Sequence, residues 1–216
     1  MAYLLSVNVG HPEPTEHSDR GVTSIGKRPV DGPVAIAVPG PRGTEPTGVD
    51  GDRVSDMRHH GGPDQAVYAY AREDLDRWAA ELGRDLPGGV FGENLTTVGL
   101  DVTGARIGER WLIGDEVVLE VCAPRIPCRT FAGWMGERGW IKRFTGRAEP
   151  GAYLRVVRPG LVRAGDEVRV MFTPVHDVTV GLTFRALTGE PDLLPRLLAA
   201  EALPGWTREK VLSRLQ

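Results

Sequence analysis

The chain is 216 residues long, 41% hydrophobic and 25% charged, a composition that excludes a disordered or collagen-like protein. Lys and Arg number 26 against 29 Asp and Glu, a formal net charge of -3, so nothing drives binding to a phosphate backbone and no nucleic-acid partner is expected. No run of about 18 apolar residues exists, and the start, MAYLLSVNVG, lacks a basic region and a small-residue cleavage site; the expectation is a cytoplasmic protein with no membrane partner.

In chain order, Tyr3–Val9 reads as a first strand and residues 10–20 as a polar loop. Val34–Val38 is a short apolar strand, followed by a Pro/Gly-rich stretch over 39–50, and Ala66–Tyr70 is a further strand. Leu75, Trp78, Ala79 and Leu82 recur at helical spacing, which predicts a helix over 72–82. Glu73 and Asp74 suit its first turn and Gly83 its stop. Ile113–Val121 and Ala164–Met171 resemble each other: each has Gly-Asp at a turn, then apolar alternation of a half-buried strand. A third Gly-Asp stands at 51–52. Between the two lie short helices over Arg129–Met135 and Trp140–Phe144 and a strand over Tyr153–Val157.

After Pro174 the character changes to three short helices, Val178–Leu187, Pro191–Ala202 and Thr207–Leu215, with Thr207 as a candidate cap. A boundary is expected near 173, giving a β-rich domain over 1–173 and a helical appendix over 174–216. An appendix that small holds no strong core alone and should dock on the β domain or on a partner. The 28 glycines and 17 prolines favour many short strands. The fold class expected is mainly β (α+β), a barrel or sandwich with short peripheral helices.

Of two cysteines, Cys122 lies in an alternating strand and reads as structural. Cys128 sits in Pro124-Arg125-Ile126-Pro127-Cys128-Arg129, between two arginines and before a helix. Nearby positive charge, and a helix start, favour the thiolate, the form that attacks or binds metal. Three other segments each admit two readings. Arg58-His59-His60-Gly61-Gly62 is either a tight turn or a loop whose backbone approaches a ligand closely; two adjacent histidines do not share one metal, because neighbours on an extended chain face opposite ways. In Gly92-Glu93-Asn94-Leu95-Thr96, Asn94 and Thr96 share a strand face and either read the edge of a heterocycle or belong to an ordinary turn into a strand. Thr23-Ser24-Ile25-Gly26-Lys27 either holds a phosphate or is a solvated turn; Lys27 is one of three lysines in an arginine-rich chain, and the spacing is not that of a nucleotide P-loop.

Together, TSIGKRPV, GDRVSD, HHGGPDQAVYAY, GVFGENLT, APRIPC and GAYLRVV-RPGLVRAGD, in this order, resemble the MOSC family, the domain shared with molybdenum cofactor sulfurases. The likeness covers roughly residues 1–172 and is greatest to the YiiM-like branch, which carries a three-helix appendix. It implies a β-barrel that binds the molybdenum cofactor, a metal on a pterin dithiolene, with Cys128 as metal ligand and a catalytic group. It further implies that Ser24 and Lys27 hold phosphate, that His60, Gly61, Asn94 and Thr96 line the same cleft, and that Arg125 contacts an anionic part of the cofactor. Relatives of this branch reduce N-hydroxylated compounds. The expectation is therefore an oxidoreductase acting on a small N-hydroxylated substrate, with His59 or His60 as proton donor and a separate reductase as electron-donating partner. Two alternatives are a sulfur carrier that bears a persulfide on Cys128 and a cofactor-binding module without chemistry. Pyridoxal phosphate is set aside because Lys27 is the one lysine near a candidate site.

Overall fold

The computed structural model describes residues 1–44, 47–58 and 60–215. The strands are β1 (Tyr3–Val9), β2 (Glu13–Pro14), β3 (Val22–Thr23), β4 (Arg28–Pro29), β5 (Val34–Ile36), β6 (Val67–Ala71), β7 (Leu95–Val98), β8 (Arg110–Ile113), β9 (Val117–Pro124), β10 (Ala152–Arg158), β11 (Gly160–Val162) and β12 (Val168–Phe172). The helices are α1 (Arg72–Leu82), α2 (Arg129–Met135), α3 (Trp140–Arg147), α4 (Val180–Thr188), α5 (Leu194–Leu197) and α6 (Gly205–Leu215), with 3-10 turns at Pro63–Gln65 and Pro191–Leu193.

One eight-stranded sheet runs β12-β8-β9-β10-β6-β7-β1-β4, antiparallel except where β6 lies parallel to β7. Two small sheets pair β11 with β5 and β2 with β3. The expected barrel is not formed: the fold is a mixed, sheet-rich α/β structure whose ladder stays open. β1 divides its outer side between two partners. Its last residues pair with β4, whereas its start meets the turn before β12 and the first residue of β12 through the isolated bridge Tyr3–Glu167 and the bonds Leu4 N to Asp166 O at 2.9 Å, Gly165 N to Leu4 O at 2.8 Å and Val168 N to Ala2 O at 2.9 Å. A seven-residue strand shared in this way forms no continuous ladder with either.

The expected half-buried alternation also fails on β9, where seven of eight residues are buried. Both faces of that strand are covered, and α4 packs on it. One large hydrophobic cluster contains Leu4, Trp111, Leu119 and Val121 from the sheet together with Val180, Leu187, Leu197 and Val211 from the C-terminal helices. The sequence division at 173/174 falls just after β12, and this cluster spans it. A second, aromatic cluster joins Tyr68 and Tyr70 of β6 to Trp78, Phe91, Phe131, Trp140, Phe144 and Phe184. Its rings meet mostly edge to face, for example Phe91 on Phe131 at 5.2 Å. This cluster seats α2 firmly, because Phe131 and Met135 are buried in it.

α1 spans the expected residues and stops at Gly83 in the left-handed region, φ 65°. Thr207 is not a cap: α6 begins at Gly205, and Thr207 N donates to Pro204 O at 2.9 Å.

Candidate functional site

A cleft with about 1030 Å³ of empty space, part of it open to solvent, lies where the end of β9, the segment 22–27 and residues 43–44, 47–57 and 60–62 converge. Ser24, Lys27, His60, Gly61, Asn94, Arg125 and Cys128 all line it, although they come from four separate stretches of the chain. Thr96 does not line it. His59 lies outside the described residues.

β9 ends at Pro124, and Arg125 to Cys128 carry the chain along the cleft wall into α2. Cys128 is the N-cap residue of α2, extended at φ -124°, and is partly exposed. α2 has only seven residues, so its dipole adds little at the sulfur. Arg129 turns away to the surface, where it pairs with Asp19 at 3.3 Å. Arg125 is buried. Its Nη1 donates to Phe91 O at 2.7 Å, and the guanidinium lies over the rings of Phe131 (4.4 Å) and Tyr68 (5.3 Å). Its Nε has no partner, and among the described residues no carboxylate stands within ion-pair distance. Burial disfavours its charge; the neighbouring Tyr153, Tyr68, Cys128 and Glu93 outweigh that and raise its pKa.

Lys27 lines the cleft with its ammonium already paired. Its ammonium is buried and bridges both carboxylate oxygens of Asp52. Burial pulls its pKa down and Asp52 pulls it back up. Asp52 also accepts from Gly10 N at 2.7 Å and from Asn94 Nδ2 at 3.0 Å. The Asn94 amide is fully engaged: Nδ2 also donates to Asn8 O at 3.3 Å, and Oδ1 accepts from Tyr68 N at 3.2 Å. Asn94 therefore fastens β1, the loop around residue 52 and β6 to one another, with its amide nitrogen committed to two acceptors. Thr96 is fully buried behind the cleft wall, where its Oγ1 accepts from Asn8 Nδ2 at 3.0 Å and donates to Glu93 Oε1 at 3.2 Å.

The Ser24 hydroxyl stands 2.7 Å from that of Ser55. His60 N donates to Asp56 O at 3.1 Å. At Gly62, φ is +79° and a Cβ would stand 3.0 Å from Arg42 N, so a glycine lets two loops of the cleft wall touch. Cys122 is buried, donates to Asp64 O at 2.9 Å, and is pushed well above the usual thiol range by burial, which keeps it protonated and structural.

Sequence reasoning missed Asp52, Tyr153 and Glu93. Asp52 stands in one of the three Gly-Asp turns and read as a turn residue. Tyr153 lines the cleft from β10 with its ring 5.0 Å from that of its cross-strand neighbour Tyr68. Glu93 lies inside GVFGENLT; nothing in the local pattern marks a residue whose partners are backbone amides.

Fold and cleft together define a sheet-rich α/β protein built around a cleft that presents a thiol and a buried guanidinium with no ion-pair partner among the described residues. The MOSC domain model matches residues 56–169, and the chain belongs to the MOSC domain family. Protein YiiM of Escherichia coli is 32% identical over 204 residues, which cover 89% of this chain and 85% of that one. Protein YflK of Bacillus subtilis is 32% identical over 169 residues, 78% of this chain and 72% of that one. A fungal protein named a reductase, from Gibberella moniliformis, is 29% identical over 174 residues, but the match spans only 29% of its length. The crystal structure of YiiM from Geobacillus stearothermophilus superposes with a TM-score of 0.79 at 25% identity over the whole of both chains. That of the Escherichia coli YiiM gives 0.73 at 24% identity, over 99% and 92%. No helix of the described residues is long and apolar enough to cross a membrane.

Proposed function

We propose that the cleft holds a molybdenum cofactor and that the loaded protein reduces small N-hydroxylated compounds. The observation that carries this reading is Arg125: a buried cation with an unpartnered Nε and, among the described residues, no carboxylate within ion-pair distance, on the same cleft wall as the Cys128 thiol. An uncompensated buried charge is costly, and an anionic ligand removes that cost. Among the described residues, no group of three His, Cys, Asp or Glu side chains could hold a metal ion. A metal that brings most of its donors with it, as in a dithiolene, suits a cleft whose described residues offer a single soft thiolate.

On this reading Cys128 ligates molybdenum and Arg125 holds an anionic part of the cofactor. The Ser24–Ser55 hydroxyl pair offers hydrogen bonds to phosphate. Lys27 lines the cleft beside them while it stays paired to Asp52. The cofactor supplies two-electron redox chemistry. The overall change is R–NHOH plus two electrons and two protons to R–NH2 and water: the N–O bond breaks and the oxygen leaves as water. His60, on the cleft, delivers a proton. Electrons come from a separate reductase protein. The fungal relative named a reductase supports a redox role.

The test is molybdenum and pterin content of protein made alongside a working cofactor pathway, wild type against Cys128→Ala. Stoichiometric metal that vanishes in the variant is expected. Equal loading of both would refute the ligand assignment. An added sulfur on Cys128 with no molybdenum would assign the sulfur-carrier role instead.

A further inference from the structure

We propose that Glu93 is a positioning residue for this cleft: its buried carboxylate braces the loop 89–92, and that loop aims Arg125 and anchors α2, the helix that Cys128 caps. The inference rests on the reading of Arg125 as an anion-holding residue.

Glu93 is fully buried and does not line the cleft. Its Oε1 accepts from Gly89 N at 2.6 Å and from Thr96 Oγ1 at 3.2 Å; its Oε2 accepts from Phe91 N at 2.9 Å. One side chain thus holds two backbone amides two residues apart. Only a carboxylate offers two acceptor oxygens for that task; an amide of the same shape would turn an N–H donor toward one of them. The loop closes on itself through Gly92 N to Gly89 O at 2.9 Å.

The carbonyls of the same loop do the second half of the work. Phe91 O receives Arg125 Nη1 at 2.7 Å, and Val90 O receives Trp134 Nε1 of α2 at 2.8 Å. The bond to Phe91 O is the one hydrogen bond that Arg125 makes to the described residues. Glycine at 92 lets the guanidinium lie close, because a Cβ there would stand 3.2 Å from Arg125 Nη1. Glu93 touches neither Arg125 nor Trp134, yet the carbonyls that orient both belong to the turn it clamps.

A buried acid is an expensive way to fill this space. Burial pushes the Glu93 carboxyl up to about 7, against the amide and hydroxyl donors that pull it down. Such a residue is explained when its oxygens fix something that an apolar side chain of equal volume leaves loose.

The experiment measures binding of inorganic pyrophosphate to the full chain by calorimetry in wild type, Glu93→Gln, Arg125→Met and the double variant, with melting temperatures alongside. Arg125→Met is expected to weaken binding. Glu93→Gln should weaken it about tenfold when Arg125 is present and not at all when Met replaces it, the signature of a residue that acts through another. An equal loss in both backgrounds, or no loss in the first, overturns the positioning role and leaves the Arg125 reading intact. Unchanged binding in Arg125→Met, or no binding by wild type, overturns both. If Glu93→Gln does not fold, Thr96→Val removes one bond to the same carboxylate. A smaller loss with the same dependence on Arg125 is then expected, and a loss independent of Arg125 overturns the proposal.

Discussion

Asp74 shows how far surroundings move one side chain. It is buried in the first turn of α1, where Arg77 pairs with it. Its carboxyl is nevertheless raised from 3.8 to about 6, first by burial and then by the Glu149 carboxylate, with Arg77 opposing. A raised carboxyl means that the folded chain binds the proton more tightly than the unfolded chain. The wild type therefore loses stability as pH rises from about 4 to about 6. Asp74→Asn lacks that loss. It should match wild type below pH 4 and exceed it at pH 7 by about 3 kcal/mol, as read by urea unfolding across pH. A gap independent of pH would show that Asp74 is not the titrating group. At this scale Arg125 and Cys128 were legible, because flanking prolines and arginines are local features. Asn94 reaches the cleft and Thr96 does not, and in both, partners distant in sequence bond the polar side-chain atoms.

Among the elements, α1 and α2 follow from periodicity and glycine stops, whereas the expected helix over 191–202 breaks into a 3-10 turn, a four-residue α5 and further turns. The chain tightens there through bonds of Ala199 N to Arg196 O and Ala200 N to Leu197 O, and Arg208 of α6 takes the Ala200 carbonyl at 2.8 Å. A partner from another helix thus ends α5 where composition alone would continue it. The cleft wall depends on a joint of the same kind. Asp52 ties the end of β1, through Gly10, to Lys27 and to Asn94 beside β7. Asp52→Ala leaves Lys27 buried without a counter-charge. It should cost about 3 kcal/mol or more, measured by chemical denaturation. A change within about 0.5 kcal/mol, the size of an ordinary surface substitution, would mean that Lys27 needs no carboxylate.

For the molecule as a whole, the C-terminal helices complete the main hydrophobic cluster. Val178, Val180 and Leu197 are fully buried in it, and Arg106 Nη1 donates to Pro174 O at 2.6 Å where the chain leaves the sheet. A chain cut after residue 173 should uncover Ile107, Leu119 and their neighbours. It should lose its cooperative thermal transition in circular dichroism and elute as aggregate in gel filtration. A truncated chain that melts sharply as a monomer would show that residues 1–173 form an independent domain. The open sheet was not legible either: short strands entered by like turns predict antiparallel neighbours, but whether the last strand closes on the first depends on how β1 shares its edge.

From the sequence alone came the density of short strands, the helices of clear period, the family resemblance and the four stretches that meet at the cleft. These are local properties, written in spacing and in turn residues. Tertiary structure alone decided which polar groups remain available there. Lys27 and Asn94 are engaged by Asp52, 25 and 42 positions away, and Asn8 by Thr96 across 88, while the Nε of Arg125 is left without a partner among the described residues. Hydrogen-bond and charge pairing at such separations depend on where the folded backbone brings groups together, and no local pattern records that.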